Sequence, residues 1–421
     1  MRTFTRDNWY KFFILILAFI LVWLRRADVL LNAQFWAEDA VFWYKDAYEH
    51  GFLSSLLTPR NGYFQSVSTI IVGATTFANP IYAPLISNIF GVLIRAIVIW
   101  FLFTDRFNFI NKPSKFFITA YLLCMPGLHE VQANITNAHW YLSLYVSMII
   151  ISKDPDTKLW KAHDLFFIIL SGLSGPFVVF IIAATVFKYL NESRGKINIK
   201  TLFAFYLRAP YIAMIVCGLI QGISILLTFS NSRSAAPLGF SVDVISSIIS
   251  SNIVLFTFAP WDIAKAGWFN NLMSYSISIL FISLVIFNYL RGNWQAKVFA
   301  TLPILIIIFS MAKPQLTDIA PQLPSLVSGE GSRYFVNIHI AIFSLMVIYI
   351  FQLIENKDLR LFLKILTSAL LLFMMYVNYY IQPLPDMNWK QGAKLINEAK
   401  PGENVSFKVV PPWLTLDLIK R

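Results

Sequence analysis

Cysteine, histidine and charge are all scarce in this chain, and each scarcity excludes something. Of its 421 residues only two are cysteine and five are histidine. Cys124 and Cys217 both sit inside apolar runs, so they read as small core residues, neither a disulfide nor zinc ligands. Charged residues make up 13%, against about 25% in a soluble domain. That excludes a disordered chain, a nucleic-acid-binding domain and an ordinary soluble enzyme. Neither GxxxxGKS/T nor GxGxxG occurs, so nothing points to ATP or a nucleotide-activated substrate. Internal repeats and low-complexity segments are lacking too.

What is there in quantity is apolar surface. Hydrophobic residues make up 57% and aromatics 16%, and the mean hydropathy is +0.63. The apolar residues come in blocks near 9–24, 82–103, 116–128, 138–152, 163–174, 176–190, 205–229, 268–290, 296–312, 334–353 and 360–381. This pattern predicts an all-α polytopic membrane protein of about eleven transmembrane helices over 1–381, with a small tail from 382 to 421. The first block is followed at once by Arg25 and Arg26, without a small-x-small cleavage pattern, and reads as an uncleaved span. The net charge of +12 then means Lys and Arg flanking spans, beside anionic membrane lipid.

Lys and Arg crowd one side of the expected spans, at Arg106, Lys112, Lys115, Lys153, Lys158, Lys161, Arg194, Lys196 and Lys200. The positive-inside rule makes that side cytoplasmic, with the N-terminus inside and the C-terminus outside. Arg25 and Arg26 break the rule locally. The long outer segments are 25–81, 230–267 and 313–333, so function is expected to face outward. Within 25–81 a helix is predicted from Ala37 to Glu49, stopped by His50-Gly51, then a turn over Thr58 to Gly62. The run Gln65 to Phe77 reads as a helix lying at the membrane surface; counted as a twelfth span, it would invert the charge bias downstream. In the tail Val405, Phe407 and Val409 alternate like a short strand before Pro411-Pro412-Trp413, giving a small cap.

Candidate chemistry gathers in the outer segments. Glu38 and Asp39 are neighbours on a predicted helix and point about 100° apart, so one can act as a base while the other holds a partner. Desolvation by Trp36, Phe42, Trp43 and Tyr44 raises a carboxylate toward a useful general-base value; the plainer reading is a pair of first-turn acids at a helix N-terminus. Arg333, in Gly329-Glu330-Gly331-Ser332-Arg333-Tyr334, can bind a phosphate in bidentate fashion, with Lys313 on the same side, or it snorkels to lipid headgroups. Glu130, Asn134, Asn137, His139 and Trp140 form a polar turn suited to hydroxyl-rich ligands, or else an interfacial turn. Arg95 is the clear ionisable residue deep in a span, for function or for pairing to a neighbouring helix. Asp243, Asp262 and Asp318 have no metal-ligand spacing.

The stretches Trp36-Ala37-Glu38-Asp39, Thr58-Pro59-Arg60-Asn61-Gly62-Tyr63, Asn134-Ile135-Thr136-Asn137-Ala138-His139-Trp140, Ser174-Gly175-Pro176-Phe177, Ser332-Arg333-Tyr334 and Pro411-Pro412-Trp413, with an acidic pair in the first outer loop, resemble the GT-C superfamily of integral membrane glycosyltransferases. More narrowly, they resemble bacterial and phage-type glucosyltransferases that decorate O-antigen. The resemblance implies an inverting transfer of a sugar, a hexose such as glucose, from a polyprenyl-phosphate donor to a glycan or lipid-linked acceptor on the periplasmic side of the bacterial inner membrane. It implies Asp39 as base with Glu38 next, Arg333 with Lys313 or Arg60 on the donor phosphate, and Tyr63, Glu130, Asn137, His139, Trp140 and Tyr334 around the substrates. Some superfamily members use a divalent metal (Mg or Mn) and others none, and no ligand set here decides it. A flippase or transporter of a lipid-linked sugar, or a non-catalytic subunit of polysaccharide assembly, stays open as the alternative.

Overall fold

The computed structural model describes residues 6–60, 62–228, 234–317 and 319–421; Asn61 and Asp318 lie outside them. The protein is mostly helical. In chain order the principal helices are α1 (Arg6–Leu24), α2 (Asp39–Tyr44 as a wide π-type turn, continued by Lys45–His50), α3 (Ser66–Ala74), α4 (Ala83–Leu102), α5 (Lys112–Cys124), α6 (Ala138–Ile151), α7 (Lys158–Gly172) and α8 (Ala209–Thr228). There follow α9 (Val242–Phe258), α10 (Asn271–Arg291), α11 (Trp294–Ala312), α12 (Val336–Ile348), α13 (Lys357–Asn378) and α14 (Trp389–Glu398). Side-chain caps begin many of them: Asn111 accepts from the Ser114 N–H at 2.8 Å, Asn293 from Ala296 at 2.9 Å and Asn356 from Leu359 at 3.0 Å. Each satisfies one of the orphan donors of a first turn.

Among the described residues six helices are long and apolar enough to cross a membrane: Pro80–Leu102, Ala209–Thr228, Asn271–Arg291, Trp294–Ala312, Ser332–Leu353 and Lys357–Asn378. Helices also stand at the other five expected positions: α1, whose apolar part is Trp9–Leu24, and four that are shorter than the six. α5 stops at Cys124 before Pro126 and Gly127, and the 176–190 block is broken at Thr185 into Phe177–Ala184 and Val186–Glu192. Every residue of α6 is buried, as suits a helix apolar on all sides, and it forms the centre of the bundle. At the periphery, α10 and α13 bury little and present Leu272, Ile279, Leu280, Phe362, Ile365 and Leu372 outward, which suits a hydrocarbon surround.

Three segments go beyond expectation. The outer segment 230–267 holds the apolar helix α9, whose serines dilute its hydropathy yet pack it closely on α10: Ser246 meets Ser278 at 3.3 Å and Ser250 meets Ser274 at 3.0 Å. α3 buries one side against the protein and leaves Ile70 and Ala74 exposed. Ser66, Val67, Ser68, Thr69, Val72 and Gly73 are buried, because Gly73 lets Phe52 and Ala47 approach and Ser66 donates its N–H to the Leu173 carbonyl at 2.9 Å. The tail is α14 plus an antiparallel hairpin, β1 (Asn404–Val409) with β2 (Leu414–Ile419), in the register Val405↔Leu418 and Phe407↔Leu416. Its Trp389, Ile396, Val405 and Leu416 belong to the same hydrophobic core as the bundle.

Arg25, expected to break the positive-inside rule, is committed within the fold. It is 1% exposed, and its guanidinium donates to the carbonyls of Asn378 (2.9 Å), Tyr379 (3.1 Å) and Met125 (3.2 Å). It therefore caps the C-terminal end of α13, where a helix welcomes a cation. Arg26 donates to the Gln382 carbonyl at 3.1 Å, in the segment that follows α13.

Candidate active site

The acidic pair begins at a backbone position held from outside its own loop. Ala37 has φ +41, a costly angle for a residue with a Cβ. It is fixed there by an N–H donated to the Val410 carbonyl at 2.6 Å, while Trp36 and Val410 form an isolated parallel bridge. From that corner the wide turn of α2 aims Asp39 inward and leaves Glu38 half-buried at the rim.

Asp39 is wholly buried. One carboxylate oxygen accepts the Ile135 N–H at 3.1 Å and the other the Thr136 N–H at 2.8 Å. Burial pushes its carboxyl up to about 8, with Glu38 adding to the rise and the two amide donors pulling against it. Expected as the base, Asp39 instead has both oxygens engaged as a peg between the first loop and the 131–137 turn. Trp43 backs this junction, its indole N–H donating to the Thr136 hydroxyl at 3.4 Å.

That turn is shaped by amides and by one glycine. Asn134 accepts the Asn137 N–H at 3.1 Å, and both Asn134 (2.6 Å) and Asn137 (3.1 Å) donate side-chain amides to the Glu130 carbonyl. Beneath it lies Gly91 of α4, where an added Cβ would stand 1.9 Å from the Ala133 carbonyl oxygen. Only a glycine allows the turn to sit so close to the helix. Asn137 thus shapes the turn, its side chain committed to Glu130.

At the rim the structure unites Glu38, Glu130 and Arg333. The Arg333 guanidinium is bonded to the Glu130 carboxylate, to the Gln315 carbonyl at 2.7 Å and to the Tyr334 hydroxyl at 3.2 Å. Its side chain keeps 26% exposure and that of Glu130 17%. Glu38 sits in the field of both, beside the Thr136 hydroxyl, and its carboxyl is raised chiefly by burial, with Arg333 opposing and Glu130 reinforcing. Sequence spacing supplied Arg333 and Glu130 separately; their pairing across 203 positions and the anchoring role of Gln315 had no sequence signal.

His139, Trp140 and Tyr334 do meet, forming an aromatic wall completed by Phe177. Trp140 lies 4.7 Å from Phe177 and 5.8 Å edge-on from Tyr334, and His139 stacks on Phe177 at 5.5 Å. Nε1 of Trp140 is buried in this wall without a hydrogen-bond partner, as are Oγ of Ser332 and Oδ1 of Asn337 in the neighbouring 332–337 segment. Such atoms cost about 1–3 kcal/mol each unless water or a ligand satisfies them.

Other expected members stand elsewhere. Arg60 is bonded to Asp46 and lies over the Phe42 ring at 5.5 Å, and Tyr63 pairs backbone to backbone with Arg60, so this pair buttresses α2. Lys313, half-buried after α11, stands two residues before Gln315. Arg95 is spent on the carbonyls of Gly91 (2.8 Å) and Val131 and lies over Tyr141 at 4.7 Å, a pairing within the bundle.

Among the described residues no three His, Cys, Asp or Glu converge. Glu38 and Glu130 offer two carboxylates, one already bonded to a guanidinium, which does not make the oxygen cage that Mg or Mn prefers. The rim therefore offers one part-exposed carboxylate with a raised proton affinity, one part-exposed guanidinium, and an aromatic wall carrying an unsatisfied indole N–H. Compared with known proteins, the chain matches no family model, and no curated protein or solved structure matches it.

Proposed function

We propose that this protein is an inverting membrane glycosyltransferase that moves a hexose from a polyprenyl-phosphate donor to a cell-surface glycan at the periplasmic face of a bacterial inner membrane. The observation that carries the reading is the Glu38–Glu130–Arg333 cluster, a half-buried carboxylate beside a guanidinium held at one end of an apolar bundle. Glu38, rather than Asp39, takes the proton of the acceptor hydroxyl as its oxygen attacks the anomeric carbon. The bond from that carbon to the phosphate oxygen breaks on the opposite face, and the electron pair leaves with the polyprenyl phosphate. Arg333 stabilises the departing charge; Glu130, Gln315 and Tyr334 fix the angle of its guanidinium. Phosphate is a competent leaving group, so the scheme needs no strong general acid and routes no step through a metal.

A transporter keeps ionisable groups near the bilayer midplane for its cargo. Arg95, the deep charge here, is committed to backbone carbonyls and Tyr141, so that reading has little support. The test uses the purified full chain in lipid, supplied with polyprenyl-phosphate hexose and an acceptor glycan. Sugar transfer is expected, with Glu38→Gln lowering turnover by about 100-fold or more. Movement of the sugar lipid across the bilayer with no new glycosidic bond overturns the proposal.

A further inference from the structure

A second recess adjoins the rim. It is a cleft of about 240 Å³ whose polar lining comes from His129, Ser328, Glu330 and Asn378, with Trp261 and Phe256 as its aromatic side. It is roomy enough for a cluster of waters, and so for a small ring such as one sugar. Trp261 is set rigidly: Phe256 meets it edge-on at 5.1 Å, and the Gly329 backbone at φ +82 lies so close that a Cβ there would stand 2.8 Å from the indole nitrogen. The Asn378 side-chain nitrogen is buried without a partner. No lining residue is Lys or Arg.

We infer that this cleft is the subsite for a neutral pyranose of the acceptor glycan; the inference rests on the transferase reading. The chemistry is that of a sugar and not of a phosphate. An indole face packs against the C–H face of a pyranose, while a carboxylate and an amide exchange hydrogen bonds with its hydroxyls. Glu330, with no cation in the lining, repels an anionic group. The position fits delivery to the rim. The segments that line the cleft, 126–129 and 328–330, run directly into Glu130 and, two residues beyond Gly331, into Arg333. A sugar held on Trp261 thus lies beside the segments that carry Glu130 and Arg333, while the lipid phosphate belongs at Arg333.

Saturation-transfer NMR on the full chain in nanodiscs, with a panel of neutral hexose and 6-deoxyhexose disaccharides, tests the site without requiring turnover. At least one disaccharide is expected to bind, Trp261→Ala and Glu330→Gln each weakening it about tenfold or more, with Trp261→Phe within about threefold of the parent. In the transfer assay the same two changes raise the acceptor KM and leave the donor KM in place. Unaltered disaccharide binding in Trp261→Ala and Glu330→Gln, or binding by none of the panel, overturns the subsite even if transfer is observed. Disaccharide binding lost in those variants, in a protein that transfers nothing, supports the subsite and removes the transferase reading.

Discussion

Among single residues, the acidic pair divides its labour by burial. Glu38 and Asp39 are indistinguishable as types in a bare sequence, and their separation came from partners nearly a hundred positions away, the amides of Ile135 and Thr136. The Asp39 carboxyl rises to about 8 in the folded protein, from about 3.9 in an unfolded chain. A folded pKa raised in this way contributes stability that is fully present below about pH 4 and is lost as pH rises through about 8. Thermal melting in nanodiscs should therefore show stability falling between pH 5 and pH 9, with a weaker slope in Asp39→Asn, which carries no proton to lose. At pH 5, where the parent carboxyl is itself protonated, Asn matches its one acceptor and one donor group, and the two proteins should melt close together. Equal slopes would show that Asp39 is already ionised. Glu38 yields a different signature. Arg333 favours its charged form, so Arg333→Gln should move the acidic limb of turnover to higher pH, besides slowing the reaction. A limb that stays still would mean that Glu38 is not the group being read.

Among elements, what sequence patterns disclosed was local. The helix expected from Ala37 to Glu49 and found from Asp39 to His50, its stop at Gly51 (φ +95) and the strand at Val405 to Val409 were readable because capping, glycine and alternation act over a few residues. Helix α9 was hidden by its serines, which signal polarity in isolation but serve as close-packing surface against α10. The tight seat of the 131–137 turn on α4 was equally invisible, since Gly91 looks like any glycine in an apolar run. Gly91→Ala should push the Ala133 carbonyl outward and with it the two amides that hold Asp39. The overpacking is expected to cost about 1–3 kcal/mol, and in an activity assay the loss should fall on turnover, although Gly91 touches no substrate. Melting temperature and turnover unchanged in Gly91→Ala would place that turn outside the machinery.

For the molecule as a whole, topology is the property most open to direct test. Composition and run length disclosed a helical protein with several helices long and apolar enough to cross a membrane, but they leave the number of spans open at short buried helices such as α6, because an apolar core helix and a membrane helix share one alphabet. The proposed orientation predicts that Ser54→Cys, exposed in the first loop, reacts with an impermeant maleimide in intact cells. Lys196→Cys, exposed in the basic segment expected to be cytoplasmic, should react only after permeabilisation. The native thiols of Cys124 and Cys217 are buried and leave the background low; the reverse labelling pattern would invert the assignment. One further consequence follows from the bond between Ala37 and Val410. Residues made early in translation wait for a hairpin made some 370 positions later before their geometry is complete. A premature stop near residue 400 should therefore yield a product that inserts, resists extraction by alkaline carbonate, and does no chemistry.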